Sequence, residues 1–300
     1  MKVVTVTLNT AIDAVVSEND YTQTGLLKAE RIPAGKGINV SRAFKSNRIP
    51  TIAYGLVGEA DKELFDFQKD DFIEADFVFV PGKTRTNVTI SNTKDGLEHH
   101  GRTEGFTAGE PELKQIYDRL VGTVEEGDWV VFSGSLPKGM PDNAYFKLIK
   151  LCNGMGAYTA LDSSGRGLLN GIQAGPYVIK PNREELEEIA GRELARDEEL
   201  LEIFRGISER HGVKIILTTL SEEGGILYDA SGDRVLRLSA FDLREPLVSS
   251  VGSGDSALAG LLSGFLNYLS YEECLKEAMF FANANLYTPV PGELKWEAEA

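Results

Sequence analysis

The sequence predicts an α/β protein with a mostly parallel central sheet covered by helices, and three observations lead to that expectation. From about residue 110 onward, short apolar runs alternate with amphipathic stretches, the rhythm of parallel strands joined by crossover helices. Hydrophobic residues make up 42% of the 300, ample for a sizeable core. Polar and glycine-rich segments fall at predicted strand ends and helix starts, where an open α/β sheet forms its ligand crevice.

In chain order, apolar strands are expected at 2–8, 51–57, 128–133, 157–162, 176–180, 214–219 and 224–229. Amphipathic helices are expected at about 37–48, 110–121, 141–153, 183–190, 197–211, 254–268 and 271–286. Two stretches leave this rhythm: residues 11–34, and the alternating run Thr84-Arg85-Thr86-Asn87-Val88-Thr89-Ile90-Ser91 continuing to about 104. Both read as strands of a smaller, partly exposed sheet. Such a sheet could fold over one edge of the main body as a lid and exclude water from a reaction. The expectation is one domain over 1–300, with its lid formed by 11–34 and 84–104.

Charge narrows the function classes. Thirty-one Lys and Arg against 46 Asp and Glu give a net charge of −15, which repels nucleic acid and anionic lipid, so an anionic ligand needs a local basic pocket. Cys152 and Cys274 stand far apart without metal-ligand spacing and read as buried apolar side chains. Met1 leads directly into Lys2-Val3-Val4-Thr5-Val6-Thr7-Leu8 without a leader pattern, and no span approaches about 18 uninterrupted apolar residues. A cytoplasmic chain is expected. No G-x-S-x-G elbow or H-E-x-x-H motif supports a hydrolase or zinc enzyme.

The most informative motif is Val251-Gly252-Ser253-Gly254-Asp255-Ser256-Ala257, which opens an apolar helix. Glycines at a helix start let backbone N–H groups converge on an anion. Asp255 has two readings: a helix cap, or a base that takes a proton from a substrate hydroxyl while adjacent amides stabilise a transferring phosphoryl group. Gly252, Gly254 and Ala257 also satisfy a dinucleotide fingerprint, but a helix, not a second strand ending in an acid, is expected after it. A second glycine-rich segment, Pro33-Ala34-Gly35-Lys36-Gly37-Ile38-Asn39, fails as a Walker A loop because Glu30 and Gly37 stand where Gly and Ser or Thr are needed. Gly35 and Gly37 would instead admit a polyhydroxylated ligand, with Asn39 offering a donor and an acceptor. At other strand ends stand Asp13, the loop Ser133-Gly134-Ser135-Leu136-Pro137, and Lys180-Pro181-Asn182-Arg183-Glu184-Glu185. The spacing of Asn182 and Glu185 suits either a hydrated Mg²⁺ or a capping box.

Together these segments resemble the ribokinase-like sugar kinases, also called the PfkB family, over Val3 to about Gly292. The matches are Gly35-Lys36-Gly37-Ile38-Asn39-Val40-Ser41-Arg42 to the family's glycine-rich segment and Gly252-Ser253-Gly254-Asp255 to its G-A-G-D signature. Thr7-Leu8-Asn9, Thr84-Arg85-Thr86-Asn87-Val88, Gly134-Ser135-Leu136-Pro137 and Lys180-Pro181-Asn182 are similar to the branch acting on sugar phosphates. The resemblance implies a three-layer α/β/α sandwich with a small β-sheet lid. It implies Asp255 as general base, with Gly252, Ser253 and Gly254 as anion hole. Asp13, Gly35 and Asn39 would hold sugar hydroxyls, with Lys36 also among the substrate-binding residues, and Arg85 and Ser135 would meet the phosphate already on the sugar. Asn182 and Glu185 would organise Mg²⁺ through water; Thr219, Ser221 and Gly224 would line the nucleotide, with Asn283 near its base. Ketohexose phosphates are the implied acceptors: fructose 1-phosphate first, then tagatose 6-phosphate or fructose 6-phosphate, then a neutral sugar or nucleoside. ATP and Mg²⁺ are the implied cofactors, a monovalent cation could assist, and a second subunit could cover the lid's edges. Glu98-His99-His100-Gly101-Arg102 departs from the family's pattern around the substrate. From other classes, a non-catalytic nucleotide-binding regulator and a dinucleotide-dependent oxidoreductase stand as alternatives.

Overall fold

The computed structural model describes residues 1–17, 30–67, 70–92, 97–194, 197–241 and 247–295. Its main sheet has nine strands: β1 (Val3–Thr7), β4 (Thr51–Gly58), β5 (Ile73–Val80), β8 (Trp129–Ser133), β9 (Tyr158–Asp162), β10 (Val178–Ile179), β11 (Ile215–Thr219), β12 (Gly225–Asp229) and β13 (Arg234–Leu238). Their order is β13-β12-β11-β10-β9-β8-β1-β4-β5. Every neighbouring pair from β11 to β5 is parallel, and β12 and β13 add an antiparallel edge. The chain leaves β1 towards β4 on one side and returns to β8 on its other side, so the strand order switches at β1. Ligands in open α/β sheets gather outside the carboxyl ends of strands at such a point.

Helices cover both faces. α1 (Lys36–Ser46), α7 (Ser253–Leu266) and α8 (Tyr271–Asn285) pack Phe44, Leu258, Leu262 and Phe281 against Val131, Ile215 and Leu227. On the other face, α2 (Glu110–Thr123), α3 (Ala144–Gly154), α4 (Gly165–Ile172), α5 (Arg183–Ala190) and α6 (Asp197–His211) pack Ile116, Leu148, Leu168, Leu186 and Phe204 with Val130, Phe132 and Ile216. Strands buried on both sides carry apolar runs such as Trp129-Val130-Val131-Phe132, which is why their sequences read as hydrophobic without alternation.

The stretches outside the strand–helix rhythm pair into a separate four-stranded sheet of order β3-β2-β6-β7: β2 (Ala11–Ser17), β3 (Glu30–Ala34), β6 (Arg85–Asn92) and β7 (Leu97–Arg102). β2 pairs parallel with β6, while β3 and β7 add antiparallel edges. Parts of the expected lid, 18–29 and 93–96, lie outside the described residues. Three elements were not expected: β5, α4 and β13. No helix among the described residues is long and apolar enough to cross a membrane.

Candidate active site

The site is a cavity of about 350 Å³ between the carboxyl ends of the main-sheet strands and one face of the small sheet. Local backbone requirements explain its glycines. Gly252 precedes α7 with φ +87°, a left-handed conformation, and a Cβ there would lie 2.8 Å from the Pro291 side chain. Gly37, in the first turn of α1, lies so close to β1 that a Cβ would meet the Thr7 hydroxyl. These two turns bring the start of α1 against the start of α7.

That approach places Asn39 beside Asp255. Asn39 Nδ2 donates to Asp255 Oδ2 at 2.8 Å, across 216 residues of sequence. Arg42 holds Asn39 from behind, donating to Asn39 Oδ1 and to the carbonyls of Pro291 and Pro33. Asp255 is 6% exposed, and burial pushes its carboxyl up to about 6 against the pull of Lys36; Asp162 adds to the rise, while the Asn39 bond and Lys180 oppose it. A carboxyl with that value is ionised at neutral pH yet basic enough to take a proton.

Asp162, fully buried at the end of β9, organises the cations. Lys36 Nζ lies 2.8 Å from its Oδ1 and Lys180 Nζ 3.3 Å from its Oδ2. Burial disfavours its charge, but Lys180 and Lys36 outweigh that and hold the carboxyl below its usual range. Burial likewise opposes the charge on Lys36, which Asp162, Asp255 and Glu185 nevertheless raise above the usual ammonium range. A side chain at Gly254 would come within 3.3 Å of Lys180 Nζ, so this ammonium sits over the first turn of α7. Two ammoniums and a helix N-terminus thus converge beside the carboxyl, a setting for a transferring phosphoryl group. The Ser253 N–H donates to the Ser250 carbonyl at 3.3 Å, so among the described residues the first-turn amides of Gly254 and Asp255 are left without a backbone acceptor.

The small sheet supplies the opposite wall. Arg85 is anchored by backbone: Nε donates to the Thr10 carbonyl at 3.3 Å, Nη2 to the Asn9 carbonyl at 3.2 Å, and Nη1 to Ser135 Oγ at 3.5 Å. Burial and the neighbouring Arg102 guanidinium lower its pKa. Arg102, exposed on β7, makes no ion pair among the described residues. Asp13 on β2 accepts from Asn87 Nδ2 at 2.7 Å, and burial raises its pKa.

Asn182 and Glu185 form a reciprocal capping box: Asn182 Oδ1 accepts from the Glu185 N–H at 2.8 Å, and Glu185 Oε2 from the Asn182 N–H at 3.0 Å. Both also line the cavity, and the box leaves Glu185 Oε1 outside that pair of bonds. Burial, then Asp162, raises the Glu185 pKa. No cluster of three or more acidic, His or Cys side chains suited to a metal exists among the described residues. This donor set fits a divalent cation held largely by water and phosphate oxygens, with Glu185 as the acidic contact.

The cavity therefore brings together Asp13, Gly35, Lys36, Asn39, Arg85, Asn182, Glu185, Thr219, Gly252, Gly254 and Asp255. Ser135 stands behind it, tied to Arg85 and to Asn9 Nδ2 at 3.1 Å. Ser253, Ser221, Gly224 and Asn283 do not line it. Gly224 has a packing role, since a Cβ there would collide with the Leu238 carbonyl. Sequence reasoning missed Asn87, Arg102, Asp162 and Lys180 as site residues.

Fold and site together define an ATP-dependent sugar kinase. Residues 5–289 match the pfkB family of carbohydrate kinases, and the chain belongs to that family. It is 32% identical to 1-phosphofructokinase from Bacillus subtilis, over 95% of this chain and 92% of that one. It superposes on phosphofructokinase-2 from Escherichia coli in complex with substrates and products with a TM-score of 0.87 at 23% identity, covering 100% of this chain and 97% of that one. Ribokinase from Arabidopsis thaliana, complexed with ribose and ATP, matches with a TM-score of 0.72 at 19% identity over 98% and 96% of the two chains. These two likenesses establish the ribokinase-like fold.

Proposed function

We propose that the protein phosphorylates the free primary hydroxyl of fructose 1-phosphate with ATP, giving fructose 1,6-bisphosphate and ADP. The observation that carries this reading is the pairing of Arg85 and Arg102 on one wall of the cavity with the Asn39–Asp255 pair on the other. In a chain of net charge −15, two guanidiniums in a cavity are a local exception, suited to an acceptor that already bears a phosphate. The similarity to the Bacillus subtilis 1-phosphofructokinase supports the choice of sugar.

The residues divide the work as follows. Arg85 and Arg102 grip the sugar's phosphate, and Asp13, Gly35 and Asn39 orient its hydroxyls. Asp255 takes the proton of the attacking hydroxyl as its oxygen bonds to the γ-phosphorus of ATP and the bond to the β,γ-bridging oxygen breaks. Lys36, Lys180 and the amides at the start of α7 meet the charge on the transferring group. Thr219 marks the nucleotide side, with Ser221, Gly224 and Asn283 further along it. Bound Mg²⁺ would neutralise phosphate charge, with Asn182 and Glu185 holding its water shell. The small sheet, as a lid, excludes water, and its edge strands β3 and β7 offer a surface for a second copy of the chain. Phosphofructokinase-2 from Escherichia coli forms a complex with potassium, which makes a monovalent cation a further activator to vary.

A coupled ADP-release assay tests the reading against fructose 1-phosphate, fructose 6-phosphate, tagatose 6-phosphate and the neutral ketohexoses. The highest kcat/KM is expected on fructose 1-phosphate. Preference for another ketohexose phosphate would correct the sugar, and preference for a neutral sugar would overturn the role of the two arginines.

A further inference from the structure

The register of the small sheet sets three polar side chains in a row. Asp13 on β2 is the cross-strand partner of Asn87 on β6, and Asn87 is the partner of Arg102 on β7. Directly opposed residues share a face of a sheet, and Arg85, two residues before Asn87, points the same way. All four line the cavity that holds Asp255.

Within that row, Asn87 has an unfinished hydrogen-bond set. Its Nδ2 donates to Asp13 Oδ1 at 2.7 Å. An ionised carboxylate only accepts, so this bond fixes the amide with its nitrogen towards Asp13 and leaves Oδ1 as an acceptor. Asn87 Oδ1 is buried and has no partner among the described residues. Of the buried side-chain atoms left in that state, it is the one whose residue lines the cavity. A buried acceptor without a donor is unfavourable, and native structures rarely leave one unless a ligand or ordered water completes it.

We propose that Asn87 is a specificity-determining residue whose Oδ1 accepts a hydrogen bond from a hydroxyl of the acceptor sugar, beside the hydroxyl taken by Asp13. The proposal rests on the reading of the substrate as a ketohexose phosphate. Charge makes the assignment selective. The oxygens of Asp13 and Asn87 repel a phosphate and demand donors, while Arg85 and Arg102 flank them with donors that demand acceptors. A ketohexose phosphate supplies both in one molecule: adjacent ring hydroxyls for the Asp13–Asn87 pair and a phosphate for the arginines. Because Asn87 is held on a strand by its bond to Asp13, the pair recognises two neighbouring hydroxyls at fixed spacing, which makes it sensitive to their removal or inversion.

The test measures kcat and KM for fructose 1-phosphate, its 3-deoxy and 4-deoxy analogues, and its C4 epimer tagatose 1-phosphate. The wild type and the variants Asn87→Leu and Asn87→Ser are compared, with folding checked by thermal unfolding. The wild type is expected to lose about 10-fold or more in kcat/KM on one deoxy analogue. In Asn87→Leu that discrimination should collapse to within about twofold, with the KM for ATP unchanged. Asn87→Ser, whose hydroxyl can still bond, should keep part of it. An equal loss on every substrate with the wild-type ratio preserved would make Asn87 structural and overturn the proposal. Indifference of the wild type to each single hydroxyl deletion would overturn it without any variant. The wild-type rate on fructose 1-phosphate separately decides the substrate reading. If a neutral sugar proves to be the acceptor, the same ratios on its deoxy analogues decide the role of Asn87.

Discussion

Replacing Asp255 by Asn separates chemistry from stability, and the two effects have opposite signs. Asn keeps the shape of the side chain and accepts the Asn39 hydrogen bond, but it cannot take up the substrate proton. kcat should fall by about 10² to 10⁴, the range for a positioned base. Stability should rise. The folded carboxyl titrates at about 6 against 3.8 for the free group, so the native state binds this proton more tightly than the unfolded chain. The resulting stability is fully present below pH 3.8 and is lost as pH rises through about 6. At about 1.36 kcal/mol per pKa unit, a shift of roughly two units makes the contribution of Asp255 alone about 3 kcal/mol less favourable above pH 6 than below pH 3.8. Asn has no charge to desolvate, so Asp255→Asn should unfold several degrees above the wild type at pH 7.5. That gap should narrow as pH falls from 6 towards 4. Calorimetric unfolding between pH 4 and 8, beside ADP release at saturating substrates, reads both. A variant with near-normal turnover, or one destabilised equally at every pH, would show that Asp255 is a helix cap and refute the reasoning.

Asp162→Asn removes the buried charge that balances the buried Lys180 ammonium and the partly exposed one of Lys36, which should cost about 3–5 kcal/mol in urea unfolding. Because Asp162 also raises the Asp255 pKa, the acid limb of the kcat profile should move to lower pH in this variant. Glu185→Gln should raise the Mg²⁺ concentration for half-maximal rate; a lower Tm with unchanged Mg²⁺ dependence would leave only the capping box.

The strands and helices that carry the core were legible because burial on both faces leaves unbroken apolar runs and helices leave a 3.6-residue period. β5 was missed because it alternates buried Ile73, Phe77 and Val80 with exposed Glu74 and Asp76 at the edge of the sheet, where charge imitates a loop. α4 was missed because Gly165-Arg166-Gly167-Leu168-Leu169-Asn170-Gly171-Ile172 holds three glycines in eight residues, poor helix formers that packing overrides: a Cβ at Gly171 would meet Leu161 at 2.6 Å. Asp255, Asn39 and Arg85 were visible as polar residues at glycine-rich turns or in an alternating strand. Asp162 and Lys180 were not, since each sits in a short, common strand ending and gains its meaning from the other across the sheet. Arg102 and Asn87 depended on strand register, which the hydrophobic pattern of a half-exposed sheet does not specify. The single reading of Asn182 and Glu185 was also out of reach: the capping box forms, and both residues still face the cavity.

The claim that the acceptor carries a phosphate turns on Arg85. Its guanidinium is positioned by two carbonyls and the Ser135 hydroxyl, and among the described residues it makes no ion pair that would tie it to a surface role. Charge-assisted hydrogen bonds to a phosphate contribute about 1.5–3 kcal/mol each, and about 1.4 kcal/mol is tenfold. The measurement is kcat/KM on fructose 1-phosphate and on fructose for the wild type, Arg85→Ala and Arg85→Lys. A fall of about 10²-fold or more on the phosphorylated sugar in Arg85→Ala, little change on fructose, and partial recovery in Arg85→Lys are expected. An equal fall on both sugars, or a wild type that prefers fructose, would contradict the account.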